Sequence, residues 1–257
     1  MGRQQIATLA RFTLLEASRT RLIWLFVGAL ALVFGAAYFV QQLAITESVR
    51  MQTAFSAAAS RLVAVFVLSL YILTSLVREF NDKGLELTLS FSLRRADYIL
   101  GRFLGFMLIA VVMALLAGLP QLILAPPAAA LQWSCALALE LIIVAALSIF
   151  CMLTFTQLMP AASFIAGFYL LARTMTAIRL ISSASTVNDD TVSHRMIGWV
   201  IDTLALVLPS LDRFTQSAWL VDGAPGWPAI GLCAGQALIY TALLIAAAMF
   251  DFYRRNL

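Results

Sequence analysis

The chain has 257 residues, of which 62% are hydrophobic and only 12% are charged. Soluble domains carry about a quarter charged residues, so this composition excludes a soluble globular protein of this size. The formal net charge of +4 comes from basic residues that stand beside long apolar runs, which indicates the cytoplasmic side of a membrane rather than a nucleic-acid-binding surface.

Residues 1–21 combine arginines with apolar side chains at helical spacing, as at Ile6, Leu9 and Phe12. This pattern predicts an amphipathic helix at the inner membrane interface. The uncharged run 22–40 is long enough to cross a bilayer at about 1.5 Å per residue, and it is too long for a cleaved signal peptide. It is the first predicted span, and it begins in the cytoplasm.

The longest charged passage lies between the second predicted span, residues 54–77, and the third, residues 98–124. Its motif elements in chain order are Arg78-Glu79, Gly84-Leu85-Glu86-Leu87-Thr88-Leu89, Ser92-Leu93-Arg94 and Tyr98-Ile99-Leu100-Gly101-Arg102. Glu79 and Lys83 have the spacing and order that stabilise a surface helix. Residues 85–93 alternate apolar and polar side chains, which favours a strand, but a lone strand between two spans has no pairing partner.

In this order, the elements resemble the cytoplasmic loop of the type 2 membrane permeases of ATP-binding-cassette (ABC) exporters. The resemblance implies an all-α integral membrane fold with six spans and a helical coupling segment in residues 78–98. It also implies a partner ABC ATP-binding subunit and a dimeric membrane part, made with a second copy of this chain or a related permease.

Residues 78–98 are then expected to dock on the ATP-binding subunit and to transmit its closure to the spans. The predicted coupling residues are Arg78, Glu79, Lys83, Gly84, Leu85, Glu86, Leu87, Leu89 and Arg94. Among these, Glu79, Lys83 and Glu86 are expected to make polar contacts, and the three leucines to dock or pack. The other interpretation is an ordinary solvated loop, because surface loops are commonly charged.

The chain carries no Walker A motif, which needs a lysine that reaches the terminal phosphates of ATP. Its single lysine, Lys83, precedes Gly84 in an acidic passage. We therefore expect no catalytic residue and no cofactor on this chain, with ATP and Mg²⁺ bound by the partner subunit. No Cys-x-x-Cys or Cys/His cluster predicts a metal site.

Two G-x-x-x-G pairs predict close helix contacts: Gly101 with Gly105 in the third span, and Gly231 with Gly235 in the sixth. The fourth span, residues 131–158, and the fifth, residues 161–181, are separated by Met159-Pro160. So short a connection predicts an antiparallel hairpin.

Charged side chains inside spans are functional candidates. At about 1.5 Å per residue, Glu140 and Arg173 fall at nearly the same depth of the fourth and fifth spans, so we expect them to pair. The pair either only locks the hairpin or lies on a substrate path. Arg61, near the outer end of the second span, is expected to snorkel toward water.

Residues 182–227 form the longest segment outside the spans, and they are expected to be external. Their apolar part, residues 196–211, contains Asp202 and Pro209 and is too short to span, which predicts a re-entrant or interfacial helix. The sixth span, residues 228–250, returns to the cytoplasm.

Residues 1–257 are thus predicted to form a single transmembrane permease domain in the inner (plasma) membrane, among membrane lipid, with both termini cytoplasmic. Spans one to five, with the loop 78–98, occupy residues 22–181. Export is the direction that the resemblance implies, and the substrate stays open. An integral membrane enzyme and an ATP-independent secondary transporter are the alternatives, although the sequence shows neither convergent polar residues nor repeated halves.

Overall fold

The computed structural model describes residues 2–43, 47–81, 95–185, 199, 201, 203–204 and 208–254. Within these ranges the long elements are all helices. In chain order they are α1 (Gly2–Arg19), α2 (Leu22–Leu43), α3 (Ser48–Asn81), α4 (Arg95–Gly118), α5 (Gln121–Leu124), α6 (Pro127–Phe155), α7 (Leu158–Ser185), α8 (Ala218–Val221) and α9 (Trp227–Arg254). A 3₁₀ turn, Leu211–Arg213, precedes α8.

The described part of the chain contains six helical segments that are long and apolar enough to cross a membrane: Leu22–Leu43, Ser48–Asn81, Ala96–Leu124, Pro127–Phe155, Leu158–Leu180 and Trp227–Arg254. Their length and composition define a multi-pass α-helical membrane protein. The sequence-based expectation of an all-α fold with six candidate spans is confirmed at this level.

The break between the fourth and fifth spans lies at Thr156 and Gln157, so its predicted position at Met159-Pro160 was wrong. Thr156 has φ 58°, the left-handed conformation that commonly ends helices. Pro160 stands in the first turn of α7, where its missing N–H costs nothing because first-turn N–H groups have no acceptor within the helix.

α6 is the central helix of the bundle, and it contacts α3, α4, α7 and α9. Trp133, Leu137 and Leu141 on this helix are fully buried. Apart from a few buried polar side chains such as Glu140, this helix is apolar on every side, as expected for one largely surrounded by protein.

α1 packs against the first half of α4 through the Gly101 and Gly105 pair. A Cβ atom at Gly101 would lie 2.8 Å from Leu9 Cβ, and one at Gly105 would lie 2.6 Å from Thr13 Cβ. Glycine is therefore required for this approach, which supports the close contact expected there. The helix in contact is the N-terminal one rather than another span.

Gly231 and Gly235 on α9 behave differently. Both face open space, because a Cβ atom added at either position would have no described neighbour within 4 Å. The close helix packing expected at this pair is therefore not made by the described part of the single chain. A G-x-x-x-G spacing permits close approach but does not specify a partner.

Two ends of the bundle can be distinguished. The α1 end carries α1, the helix ends that flank residues 82–94, and the last turn of α9, where Phe252 stacks on Tyr98 with ring centroids 6.2 Å apart. The opposite end carries Glu47 just before α3, the connection 119–126 and the segment 208–226. This segment packs into the bundle, where Leu211, Phe214 and Leu220 are buried.

Candidate functional sites: two buried charge clusters

Glu140 lies in the middle of α6, and its side chain is completely buried. Tyr169 donates a hydrogen bond to Glu140 Oε1 at 2.8 Å, and Thr215 donates one to Oε2. Arg173 Nη1 lies 3.8 Å from Oε1. The structure thus brings together the two intramembrane charges that were expected to pair, with two hydroxyl groups completing the environment of the carboxylate.

The guanidinium of Arg173 makes its hydrogen bonds to backbone rather than to Glu140. Its Nη1 donates to the Leu211 carbonyl and, at 2.8 Å, to the Phe214 carbonyl. Its Nη2 donates to the Thr215 carbonyl at 3.3 Å. Arg173 therefore ties α7 to the turn 211–215 and neutralises Glu140 from the same position.

Arg61 is a second buried cation at this place. Its side chain lies in the bundle, the residue is 8% exposed, and its Nη1 donates to the Thr215 carbonyl at 2.9 Å. The expectation that Arg61 snorkels to water was wrong. A backbone carbonyl within the protein accepts a hydrogen bond from Nη1, whereas Nε has no partner among the described residues, so the side chain stays in the bundle and does not reach the interface.

Thr215 is the residue on which the cluster converges. Its φ of 47° is unusual for a β-branched residue and costs about 1–3 kcal/mol. Its carbonyl accepts hydrogen bonds from Arg61 and Arg173, and its hydroxyl donates to Glu140. Because hydrogen bonds to charged groups contribute about 1.5–3 kcal/mol each, they are strong enough to hold this backbone conformation.

We name Arg61, Glu140, Tyr169, Arg173 and Thr215 the central charge cluster. It joins α3, α6 and α7 to the turn 211–215. Asp212 adds a second acid at the rim, where it accepts a hydrogen bond from the Thr176 hydroxyl at 2.7 Å. Chemically, the arrangement can hold the segment 208–226 in the bundle through charge-assisted hydrogen bonds.

A second cluster, the α1-end cluster, is built around Arg102 on α4, which is 4% exposed. Arg102 Nε donates to Glu79 Oε2 at 3.0 Å, and Nη2 pairs with the same carboxylate. Arg102 Nη1 donates to Glu16 Oε2 at 3.0 Å and to the Thr13 hydroxyl at 3.1 Å. Ser75 donates to Glu16 Oε1 at 2.8 Å. One guanidinium thereby joins α1, α3 and α4.

This cluster changes the interpretation of one predicted coupling residue, Glu79. Glu79 points its carboxylate at Arg102, and its side chain is only 14% exposed. Its neighbour Arg78 is exposed. The other predicted coupling residues lie outside the described residues: Lys83, Gly84, Leu85, Glu86, Leu87, Leu89 and Arg94.

Sequence reasoning missed the intramolecular partners of Glu79. Arg102 was assigned to the last element of the motif series, and Glu16 was not singled out. One signal was present: Glu16 is the only acidic residue in the basic stretch 1–21. A lone acid there suits a buried arginine on a neighbouring helix.

Among the residues that the structure describes, no group of three or more His, Cys, Asp or Glu side chains could hold a metal ion. The site chemistry visible in these ranges is therefore that of two ion-pair and hydrogen-bond clusters inside a multi-pass helical membrane protein. No protein-family model matches the chain, and no curated protein matches it. The resemblance to ABC permeases rests on the motif series 78–102 and the six-span plan.

Proposed function

We propose that this chain is the membrane-spanning permease subunit of an ABC transporter, and that a separate ATP-binding subunit docks on residues 78–98. The observation that carries the proposal is the ion pair between Glu79 and Arg102. These residues belong to the first and last elements of the motif series. The pair therefore links the end of α3 to the start of α4, on either side of the charged stretch of sequence.

An ion pair in this position suits the transmission of movement from the docking segment to the spans. A push on residues 82–94 reaches α3 through Glu79 and α4 through Arg102, and Arg102 also holds Glu16 of α1. The three helices can then shift as one body, as in switching transitions where rigid elements move about an interface. Two copies of the chain with two ATP-binding subunits form the proposed assembly, which exports its substrate.

The central charge cluster fits this proposal as the contact that fastens the segment 208–226 to the spans on the external side. Glu140 lies about 20 Å along α6 from its first residue, near the middle of a hydrocarbon core of about 30 Å. The turn 211–215 must then enter the membrane from the external side. Irregular backbone at such a depth is tolerated where protein satisfies its polar groups, and Arg61 and Arg173 supply those donors.

The proposal places the α1 end and both termini in the cytoplasm, in the inner (plasma) membrane. It is tested by purifying the affinity-tagged full-length chain in mild detergent from its native membrane. We expect a subunit with a Walker A motif to co-purify and the complex to hydrolyse ATP. Glu86→Arg is expected to lower the recovery of that subunit roughly tenfold, because it reverses a charge at the docking contact.

Glu47→Arg is the matched control, since Glu47 is a 66% exposed acid at the opposite end. It is expected to leave the recovery unchanged. Absence of any ATP-binding subunit, or equal recovery with Glu86→Arg and wild type, would contradict the proposal.

A secondary transporter is a second candidate, favoured by one observation: charged groups gather midway along the spans in the central charge cluster. Coupling-ion and substrate sites of such transporters lie at this depth. Uptake or efflux in proteoliposomes containing only the purified chain, driven by an ion gradient without ATP, would favour this candidate over the permease.

A further inference from the structure

A cleft of about 300 Å³ opens on the side of the bundle at the α1 end, between α1, α2 and α3. Leu25 and Leu70 on its walls are 63% and 48% exposed, so the cleft faces the surroundings of the bundle and not its interior. The volume is at the lower end of the range for small-ligand sites.

The lining changes from polar to apolar along α3. Arg78, Ser75 and Thr74 line the part nearest the end of the helix, and Leu70 and Val67 line the deeper part. Arg78 and Val67 are 11 residues apart in sequence, or about 16 Å along the helix axis. A ligand that matches this cleft has an anionic or polar head and an apolar chain.

The charge of the cleft is positive. Glu16 lines it, but its carboxylate already pairs with Arg102 and accepts a hydrogen bond from Ser75. Arg78 is exposed, and no described acid forms an ion pair with it. Arg19 and Arg21 are exposed nearby at the end of α1 and the start of α2.

Tyr71 forms part of the wall between the polar and the apolar parts of the cleft. The residue lines the cleft and is 8% exposed. Its hydroxyl lies next to the Thr20 side chain but completes no hydrogen bond within the described structure. Because this oxygen is enclosed by protein atoms, Tyr71 shapes the wall of the cleft and leaves Arg78 as the group that presents donors to a ligand.

We propose that this cleft binds one anionic phospholipid, with its phosphate on Arg78 and an acyl chain along Leu25, Leu70 and Val67. An arginine presents a planar fork of donors that matches phosphate oxygens. The location also agrees with the α1 end lying at a lipid–water boundary, where basic residues attract anionic headgroups. The bound lipid fills the gap between α1, α2 and α3.

The test is native mass spectrometry of the detergent-purified full-length chain, titrated with phosphatidylglycerol or phosphatidylcholine. We expect phosphatidylglycerol to remain bound and to be preferred over phosphatidylcholine. Arg78→Gln should weaken phosphatidylglycerol binding about five- to tenfold, and Arg78→Lys should restore part of it because a charge remains. Leu70→Trp fills the apolar part and should weaken binding of both lipids.

Arg11→Gln is the matched control, because Arg11 is exposed on α1 but does not line the cleft; its binding should equal that of wild type. Excess inorganic phosphate should not displace the lipid. The proposal is overturned if Arg78→Gln binds as well as wild type, if Arg11→Gln loses as much, if Leu70→Trp has no effect, or if the two lipids bind equally. Displacement by phosphate alone would also overturn it, since it would show an anion site without a lipid site. Because lipid binding is measured on this chain alone, its outcome is independent of the proposed ATP-binding partner.

Discussion

Glu140 places a carboxylate where water is excluded. The free-energy cost of burying this group depends on the groups around it. Tyr169, Thr215 and Arg173 surround its two oxygens. A buried ion pair contributes little compared with a well-packed apolar replacement of the whole pair. Removal of one partner is different, because it leaves the other charge buried without compensation.

We therefore predict that Glu140→Ala lowers the free energy of unfolding by about 3–5 kcal/mol, since Arg173 loses its counter-charge. Denaturant unfolding of the purified chain in detergent measures this difference. Glu47→Ala is the control: Glu47 is exposed and, among the described residues, its ion-pair partner is Arg50 on the surface, so its removal should change stability by less than about 1 kcal/mol. Equal stability of Glu140→Ala and wild type would show that the cluster does not hold the bundle together.

Counting the rise per residue along the predicted spans identified Glu140 and Arg173 as a pair, but it could not identify the other members of the central charge cluster. Glu140 and Arg173 sit on consecutive antiparallel helices, where the rise per residue alone places them at one level. Arg61 and Thr215 are separated by 154 residues, and the path of the chain into the bundle at 208–226 is a tertiary result. Nothing in the spacing of apolar residues says that Thr215 will lie beside Glu140.

The contact between α1 and α4 is the clearest relation between two elements. Glycine at positions 101 and 105 removes the side chains that would keep α1 away. The shared Arg102 then secures the contact through Glu16 and Thr13. Close approach and charge neutralisation thus act on the same pair of helices.

For these elements we predict opposite effects of two equal substitutions. Gly105→Ala adds a methyl group 2.6 Å from Thr13 Cβ, and this overpacking should cost about 1–3 kcal/mol. Gly231→Ala meets no described atom within 4 Å and should be neutral or stabilising by up to about 1 kcal/mol through helix propensity.

Thermal unfolding in detergent compares the two variants, and trypsin cleavage after Arg11 reports whether α1 has left α4. Faster cleavage is expected for Gly105→Ala only. If both alanine variants behave alike, the glycine pair of α4 has no special packing role.

Sequence patterns predicted the two glycine pairs equally well, but only one makes a close contact within the described chain. The reason is that a small-residue spacing allows two helices to approach closely but supplies no force that attracts them. On α4 the adjacent Arg102 supplies the attraction, whereas Gly231 and Gly235 have exposed neighbours such as Leu232 and Leu238. The helix ends were also displaced by a few residues, because left-handed residues such as Thr156 carry no strong sequence signal.

The whole molecule separates its two clusters along the bundle axis. Arg102 gathers α1, α3 and α4 at one end, and Glu140 gathers α3, α6 and α7 with the turn 211–215 midway along the spans. α3 takes part in both, through Ser75 and Glu79 and through Arg61. It is therefore the element best placed to carry movement from one cluster to the other.

The proposed orientation of the molecule is open to a labelling test. Val49 is exposed near the start of α3, at the opposite end, and Ser18 is exposed near the end of α1. In right-side-out membrane vesicles, a membrane-impermeant maleimide should label Val49→Cys, while Ser18→Cys should react only after permeabilisation. The wild-type chain, with Cys135, Cys151 and Cys233, provides the background. The reverse pattern would contradict a cytoplasmic α1 end.

Whole-chain hydropathy was the strongest sequence signal, and it gave the number of spans because each helix must satisfy its own backbone in lipid. Orientation and partners depend on what lies outside the single chain, so they stay predictions.

The reliance of α1 on Arg102 also bears on how the protein is made. Glu16 and Arg102 are 86 residues apart in the chain, so the N-terminal helix leaves the ribosome long before its counter-charge exists. Until the third span has been inserted, the Arg102 side chain is not available to Glu16. A nascent chain that ends before residue 102 lacks the guanidinium that pairs with Glu16, although Ser75 of α3 already offers a hydrogen bond to the same carboxylate. The complete α1-end cluster therefore forms only after α4 has been synthesised.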